Sequence, residues 1–334
     1  MKNLAKPLLL LICIVVISIF FWNKKQNSKH EITGNTQGTT YSIKYFYPKP
    51  IISQKSIDSI LQLFDLQLST YIPISQISKI NQNDTTVVTG KWFQDVFKIS
   101  KQIHQESNGL FDPTIGILVN AYGFGPQKVK QMPSEKEVQE LLKKVGLPNI
   151  KINSNGTITK EFPEMNLDFN AIAQGYAVDV LIKYLKSKNI ENAMVEIGGE
   201  VYAIGKNTAT QKPWTIGIED PLQPENNRQI LEKVTLNNQG LATSGNYRKI
   251  KIDSITGKKY VHTLNPKTGI SEQSKILSAT VIARSTALAD AYATTLMLMN
   301  IEEIKSFIKN KPQLKVLIIH QNNQHKIEIY KNYK

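Results

Sequence analysis

Apolar residues recur along the chain with two periods, which predict a mixture of strands and helices. Runs rich in β-forming residues predict strands at residues 39–47, 193–197, 201–204, 214–218, 276–283 and 314–319, the last paired with 326–330. Helical spacing predicts helices at residues 56–68, 92–103, 171–185 and 286–299. A capping box of Ser134 and Glu137 opens a further helix that is expected to stop at Gly146. Hairpins are predicted at residues 150–159, turning at Asn155-Gly156, and at 247–264, turning near 254–257. Strand pairs mixed with single helices indicate an α+β fold with mostly antiparallel sheets, in one body of one or two lobes.

The N-terminal segment has the design of a signal peptide or signal anchor. Lys2 and Lys6 precede an apolar stretch at residues 7–22, and Lys24-Lys25 follow it. Lysines on both flanks leave the orientation open, because the positive-inside rule needs an asymmetry.

We expect the segment to stay attached as a membrane anchor. Phe21 and Trp22 stand where cleavage would need small side chains. The chain is therefore divided into an anchor at 1–22, a polar tether at 23–36 and a single body at 37–334.

Composition narrows the class of protein. The 334 residues are 41% hydrophobic and 20% charged, which excludes a disordered, collagenous or polytopic membrane protein. The net charge is +14, but no Lys/Arg run is longer than two, which disfavours nucleic-acid binding. The basic excess fits affinity for anionic small molecules or for a membrane surface.

Cys13 is the only cysteine, so the body has no disulfide, cysteine zinc site or cysteine nucleophile. Two alternatives stay open for Cys13 itself. It is either a structural residue of the apolar segment or a lipidation site. A lipoprotein signal has a small residue just before the cysteine, whereas Ile12 is large.

The segment 166–179 is a candidate anion site. It places Asp168, Asn170 and several small residues just before and within the first turn of a predicted helix, where N–H groups favour a phosphate. Gly175 would allow a ligand close to the backbone. The alternative is an N-capped helix packed through its small residues.

Asp290 and Thr294 are a candidate metal site. They are four residues apart on an otherwise apolar predicted helix, so they share one face. Such hard oxygen donors suit Mg²⁺, with a backbone carbonyl and ligand phosphates completing the shell. The alternative is an acid that complements the helix dipole.

A third group of candidates lies at residues 240–269. Ser244 and Gly245 can present backbone amides, Arg248 can bind phosphate, and His262 can transfer protons. The alternative for His262 is a structural histidine. A further candidate, Asp112, stands beside Pro113 in the segment 109–116, where the alternative is turn chemistry. GxSxG, P-loop, HExxH and CxxC motifs are absent, which disfavours serine hydrolases, Walker NTPases, zincins and thiol redox proteins.

Taken together, these segments resemble the ApbE-type FAD:protein FMN transferases. The resemblance covers about residues 37–300, in the order of the family. Its motifs are GTTYS (38–42), FDLQLSTYIPISQISKIN (64–81), GLFDPTIGILVNAYGFGP (109–126), LDFNAIAQGYAVD (167–179), VEIGGE (195–200), ATSGNYR (242–248), HTLNPKTG (262–269) and ADAYATT (289–295).

The resemblance implies an enzyme that splits FAD with Mg²⁺, attaches FMN by a phosphoester bond to a Thr or Ser of an acceptor flavoprotein, and releases AMP. It implies an acceptor subunit in a membrane electron-transfer complex, and a catalytic domain that faces the periplasm from the bacterial inner membrane. An FAD pyrophosphatase giving FMN and AMP, or a non-catalytic FAD-binding protein, are the alternatives.

The resemblance also implies roles for particular residues. The metal ligands are the carbonyl of Ala171 with Asp290 and Thr294, and the proton of the acceptor hydroxyl is handled by His262, with Asp290 as a competitor. The expected FAD contacts are Gln37, Tyr71, Leu110, Phe111, Asp112, Asp168, Gln174, His262 and Thr263.

Three positions depart from the family pattern. Gln37 stands where Met is frequent, Gln174 where Lys is usual, and Asn265 where Asp is frequent. Loss of the lysine charge at position 174 is expected to weaken phosphate binding or alter the kinetics.

Overall fold

The computed structural model describes residues 27–127, 129, 131–223, 229–245, 250–252, 256–271 and 274–333. The expected anchor at 1–22, Cys13 and Arg248 lie outside this part of the chain. Within it, no helix has both the length and the apolar character needed to cross a bilayer.

Most helices begin at a side-chain cap. Ser53, Ser75, Ser134, Ser285 and Asn300 each accept a backbone N–H of the first turn that follows, which is the hydrogen bond a helix start otherwise lacks. The helices are α1 (Gln54–Leu68), α2 (Gln76–Asn81), α3 (Lys91–Glu106), α4 (Gly116–Ala121), α5 (Glu135–Leu142), α6 (Ala173–Ser187), α7 (Thr286–Leu296) and α8 (Ile301–Lys309).

The strands pair antiparallel throughout the described residues. They are β1 (Ser28–Thr36), β2 (Thr39–Tyr47), β3 (Ile150–Ile152), β4 (Ile158–Lys160), β5 (Ala193–Ile197), β6 (Glu200–Ile204), β7 (Trp214–Glu219), β8 (Ile230–Leu236), β9 (Gln239–Gly245), β10 (Ile250–Ile252), β11 (Lys259–Val261), β12 (Ile276–Ala283), β13 (Lys315–Gln321) and β14 (Ile327–Lys331). Eight of them form one sheet in the order β1-β2-β5-β6-β9-β12-β13-β14, while β3–β4, β7–β8 and β10–β11 are separate hairpins.

The large sheet is covered differently on its two faces. Alternate residues of β2, Tyr41, Ile43 and Tyr45, are fully buried in the same hydrophobic cluster as α1, α3, α6, α7 and α8. The opposite face, with Val201 and Leu241, packs on the β7–β8 hairpin. This arrangement confirms the predicted α+β fold with mostly antiparallel sheets.

Several sequence predictions are confirmed at their bounds, and others are corrected. The strands at 39–47, 193–197 and 276–283 and the turn at Asn155-Gly156 are as predicted. The helix that opens at Ser134 ends at Leu142 rather than at Gly146.

The prediction of a tether at 23–36 is wrong for Ser28–Thr36, which form β1 and pair along their whole length with β2. This strand lies at the edge of the sheet and has no fully buried residue, so it lacks the apolar alternation that would reveal it.

Candidate active site

One cleft of about 1190 Å³ opens at the end of the sheet where the β1–β2 and β5–β6 turns lie. The structure brings every residue of the expected metal site and every expected FAD contact to its walls. These residues are Gln37, Tyr71, Leu110, Phe111, Asp112, Asp168, Ala171, Gln174, His262, Thr263, Asp290 and Thr294. Side chains from segments far apart in the chain therefore share one site, as the predictions require.

Two carboxylates join α6 to α7. Asp290 on α7 accepts a hydrogen bond from the Gly175 N–H on α6 at 3.0 Å. In the reverse direction, Asp179 on α6 accepts bonds from the N–H groups of Thr286 and Ala287 at 2.8 and 2.9 Å, at the start of α7. A Cβ at position 175 would lie 2.5 Å from the Thr286 carbonyl oxygen, so only glycine allows the helices to approach this closely.

The bond from Gly175 also affects Ala171. In a regular helix, the N–H of Gly175 would bond to the carbonyl four residues earlier, which is that of Ala171. Here the N–H goes to Asp290 instead, so this helical bond does not take up the Ala171 carbonyl. Ala171, just before α6, and Asp290 of α7 thus both line the cleft.

Asp290 lies against a second acid, Glu200, at the start of β6. Both side chains are buried, with 6% and 9% of their surface exposed. Burial raises the pKa of Asp290, although the Gly175 N–H opposes the rise. Burial and repulsion by Asp290 raise the pKa of Glu200 well above its ordinary value. A bound cation would relieve this repulsion and lower the pKa of both groups.

Thr294 faces the same wall from one turn further along α7. Its hydroxyl lies 3.2 Å from the Ser244 hydroxyl near the end of β9. Ser244 and Gly245, whose backbone amides the sequence analysis offers to a ligand, both line the cleft.

Glu200 is the site residue that sequence reasoning missed. Gln174 donates a hydrogen bond from Nε2 to Glu200 Oε2 at 2.6 Å and another to the Ile197 carbonyl at 2.9 Å. The Gln174 amide therefore holds Glu200 in place without supplying a positive charge. The acid at the end of the VEIGGE motif was the available signal.

Asp112 and Asp168 line the cleft, but their carboxylates also shape their own loops. Asp112 accepts hydrogen bonds from both the N–H and the hydroxyl of Thr114, and from the Leu147 N–H at 3.0 Å. Asp168 accepts bonds from the backbone and the side-chain amide of Asn170, while burial raises its pKa. The turn chemistry considered for Asp112 is thus present at the site.

His262 and Thr263 directly follow β11 and are held in a short loop. Ser271 Oγ accepts a bond from the Val261 N–H at 2.8 Å just before them. Asn265 Oδ1 accepts a bond from the Lys267 N–H at 2.9 Å, and its carbonyl accepts one from Gly269 at 2.7 Å. The amide of Asn265 therefore makes the turn that an aspartate could make, so this departure leaves the loop intact.

The mouth of the cleft is bordered by Gln37 and Tyr71. Gln37 adopts a positive φ of 50° in the β1–β2 turn and bonds Asp65 at 3.3 Å. The Tyr71 hydroxyl bonds the Phe124 carbonyl at 3.3 Å, and Lys251 lies over the Phe124 ring.

The described lining of the cleft is rich in acids. The described residues that line it include no Lys or Arg, and its acids are Asp65, Asp112, Asp168, Glu196, Glu200, Glu219 and Asp290. A bound cation would offset the repulsion between these carboxylates and a diphosphate.

The residues present fit Mg²⁺. The Ala171 carbonyl, the Asp290 carboxylate and the Thr294 hydroxyl are hard oxygen donors, which Mg²⁺ prefers over nitrogen or sulfur. The described chain shows no metal-binding group of three or more His, Cys, Asp and Glu, so a site here relies on this mixed set and on ligand phosphates.

An antiparallel sheet with helices on one face and one large acidic cleft at its end defines an α+β ligand-binding protein. The chain belongs to the ApbE family, whose model matches residues 37–318.

Named relatives and solved structures agree with this assignment. The chain is 32% identical to an FAD:protein FMN transferase of Haemophilus influenzae, over 90% of this chain and 89% of the relative, and 34% identical to one of Vibrio cholerae, over 89% of each. The structure resembles the flavin transferase ApbE of Vibrio cholerae, with a TM-score of 0.79, 33% identity and coverage of 91% of this chain and 97% of that one. It also resembles the apo form of the flavinyl transferase ApbE of Pseudomonas stutzeri, with a TM-score of 0.79, 29% identity and coverage of 92% and 95%.

Proposed function

We propose that this protein is a Mg²⁺-dependent FAD:protein FMN transferase. It splits FAD, attaches FMN by a phosphoester bond to a Thr or Ser of an acceptor flavoprotein, and releases AMP. Family membership and the names of the relatives support the reaction class. The observation that carries the metal dependence is the acidic cleft, because its described lining offers seven acids and no Lys or Arg to an anionic dinucleotide.

In this proposal, Ala171, Asp290 and Thr294 would hold Mg²⁺, which would supply positive charge to the diphosphate during cleavage of its bridging P–O bond. The other roles in the reaction are assigned to side chains of the protein. Gln174 positions Glu200, and the loop after β11 presents His262 to the cleft.

The chemistry requires one proton transfer. The acceptor hydroxyl oxygen forms a new bond to the FMN phosphorus, the diphosphate P–O bond breaks, and AMP leaves with the electron pair. His262 accepts the hydroxyl proton, with Asp290 as the competing base. The expected FAD contacts are the cleft residues Gln37, Tyr71, Leu110, Phe111, Asp112, Asp168, Gln174, His262 and Thr263.

We further propose that residues 1–22 anchor the protein in the bacterial inner membrane with the body in the periplasm, where its acceptor is a subunit of a membrane electron-transfer complex. The apolar stretch at 7–22 and its flanking lysines support the anchor. Protease added to spheroplasts should then degrade the body while cytoplasmic markers survive.

The decisive experiment incubates the full-length protein with FAD, Mg²⁺ and a flavin-free candidate acceptor subunit. Fluorescent acceptor in a denaturing gel, with one AMP per flavin bound, supports transfer. AMP and free FMN without labelled acceptor would identify a pyrophosphatase, and unchanged FAD would identify a storage protein.

Asp290→Asn is the matched variant, because it removes one charge while its amide oxygen can still accept the Gly175 bond. We expect it to abolish Mg²⁺-dependent turnover. FAD cleavage at the original rate by this variant would refute the metal assignment.

A further inference from the structure

The end of the large sheet opposite the cleft receives the N-terminal segment. The register places Ser28 beside Tyr47, Tyr45 beside Ala193, and Ala193 beside Ile204, all at this end. We call it the basal face. The β1–β2 turn at the cleft lies at the other end of the same nine-residue strands, which corresponds to about 30 Å.

Exposed lysines collect on the basal face. They come from the start of β1, the residues after β2, the end of α6, the end of β6 and the residues before β7. The six are Lys29, Lys49, Lys186, Lys188, Lys206 and Lys212.

The segments that carry these lysines are tied together. Asn192 accepts a hydrogen bond from the Lys206 N–H through its side chain, at 2.8 Å, and one from the Phe46 N–H through its carbonyl, at 2.9 Å. Within these segments the acids are Glu31, which pairs with Lys29 at 3.0 Å, and the exposed Glu191. No described carboxylate forms an ion pair with Lys49, Lys188, Lys206 or Lys212. The face therefore keeps a net positive charge.

The N-terminal segment before β1 indicates which surface lies next to the basal face. The apolar stretch at 7–22 is expected from its sequence to insert into a membrane, and only residues 23–27 separate it from the start of β1 at Ser28. Even fully extended, five residues span about 17 Å, so the basal face stays close to the bilayer.

We propose that the basal face rests on the anionic phospholipid headgroups of the membrane that holds the N-terminal segment, so that the cleft faces away from the bilayer. Lysine side chains attract an anionic membrane surface within a Debye length, and each increases the population of the docked state by up to about fivefold. Docking by several lysines then turns a tethered body, which would otherwise tumble, into an oriented one. The proposal is independent of the reaction, because it uses no residue of the cleft.

The test compares two positions on the full-length chain in nanodiscs. In a Cys13→Ser background, Ser187→Cys places a fluorophore on the basal face and Asn35→Cys places one at the cleft end; both native side chains are exposed. A headgroup-attached quencher reports the proximity of each label to the lipid. With phosphatidylglycerol in the nanodisc, we expect several-fold stronger quenching at position 187 than at 35. Equal quenching at both positions would overturn the proposal.

The lysine charge is tested separately by Lys49, Lys188, Lys206 and Lys212 changed together to Gln. All four side chains are exposed, so folding and FAD cleavage should be unchanged. This variant, nanodiscs of phosphatidylcholine alone, and high salt should each bring the two quenching values together. A quenching ratio that survives charge removal would refute headgroup docking. Normal orientation with lost acceptor labelling would show instead that the face binds a protein.

Discussion

A single methyl group at position 175 should damage both the fold and the proposed metal site. In Gly175→Ala, the new Cβ would lie 2.5 Å from the Thr286 carbonyl oxygen and 2.8 Å from the Asp290 Cβ, while real Cβ contacts stay above 3.0 Å. The first clash is with backbone, so no side-chain rotation relieves it. Helices α6 and α7 must therefore move apart by about 0.5 Å or more.

The expected change in the free energy of unfolding is the sum of two opposed contributions. Overpacking of a tight contact costs about 2 kcal/mol. The exchange of glycine for alanine within a helix returns up to about 1 kcal/mol. We therefore expect a net loss of about 1 kcal/mol in the free energy of unfolding. The same movement stretches the 3.0 Å bond from Gly175 to Asp290, so Mg²⁺-dependent turnover should fall by at least tenfold.

Two measurements separate the steric effect from the electrostatic one. Urea unfolding gives the stability, and the rise of Tm with added Mg²⁺ and FAD gives ligand binding. Asp290→Asn is the control: it should keep the stability of the metal-free protein or increase it, because it removes a buried charge beside Glu200, and yet lose the response to Mg²⁺. Full stability and full turnover in Gly175→Ala would refute the close packing of α6 against α7 as the basis of the site.

Two further predictions concern charge. Gln174→Lys places an ammonium where the amide now lies 2.6 Å from Glu200. The added positive charge should lower the Kd for FAD with Mg²⁺ by about tenfold, or about 1.4 kcal/mol. An unchanged Kd in a fluorescence titration would contradict a role for charge at position 174 in FAD binding. Burial alone would raise the pKa of Glu106, but hydrogen bonds from Lys311 and Tyr292 outweigh burial and lower this pKa. The ionised carboxylate therefore stabilises the fold at pH values above its ordinary pKa. This contribution is lost as the pH falls and the carboxylate is protonated. Glu106→Gln should thus cost about 1–3 kcal/mol at pH 7 and much less near pH 3, measured by urea unfolding; an equal loss at both pH values would exclude the charge as the cause.

Elements with a buried face were predictable, whereas those without one were not. Strand β12 has a buried residue at almost every position and its bounds match the prediction. Strand β1 has none, so its polar sequence was interpreted as a tether. Helix α8 was also missed, although the capping box of Asn300 and Glu303 marks its start.

Sequence reasoning grouped the residues that line the cleft, but not the contacts between them. The metal-ligand and FAD-contact residues expected from the family motifs all line one cleft, although they come from segments far apart in the chain. Glu200 was missed because its role depends on Gln174 and Asp290, which approach it only in three dimensions. The bond from Gly175 to Asp290 joins residues 115 positions apart, so local pattern could not reveal it.

The excess of basic residues is distributed unevenly between the cleft and the opposite end of the sheet. The net charge of +14 suggested affinity for either an anionic small molecule or a membrane surface. The described lining of the cleft has no Lys or Arg, so the proposed reaction would rely on a metal ion to hold the anionic substrate there, while exposed lysines lie at the opposite end. Salt screens exposed charges far more than buried ones. Raising the ionic strength at constant Mg²⁺ should therefore release the basal face from anionic nanodiscs while leaving the rate of FAD cleavage nearly constant. A parallel decline of both would mean that lysines outside the described lining bind the substrate.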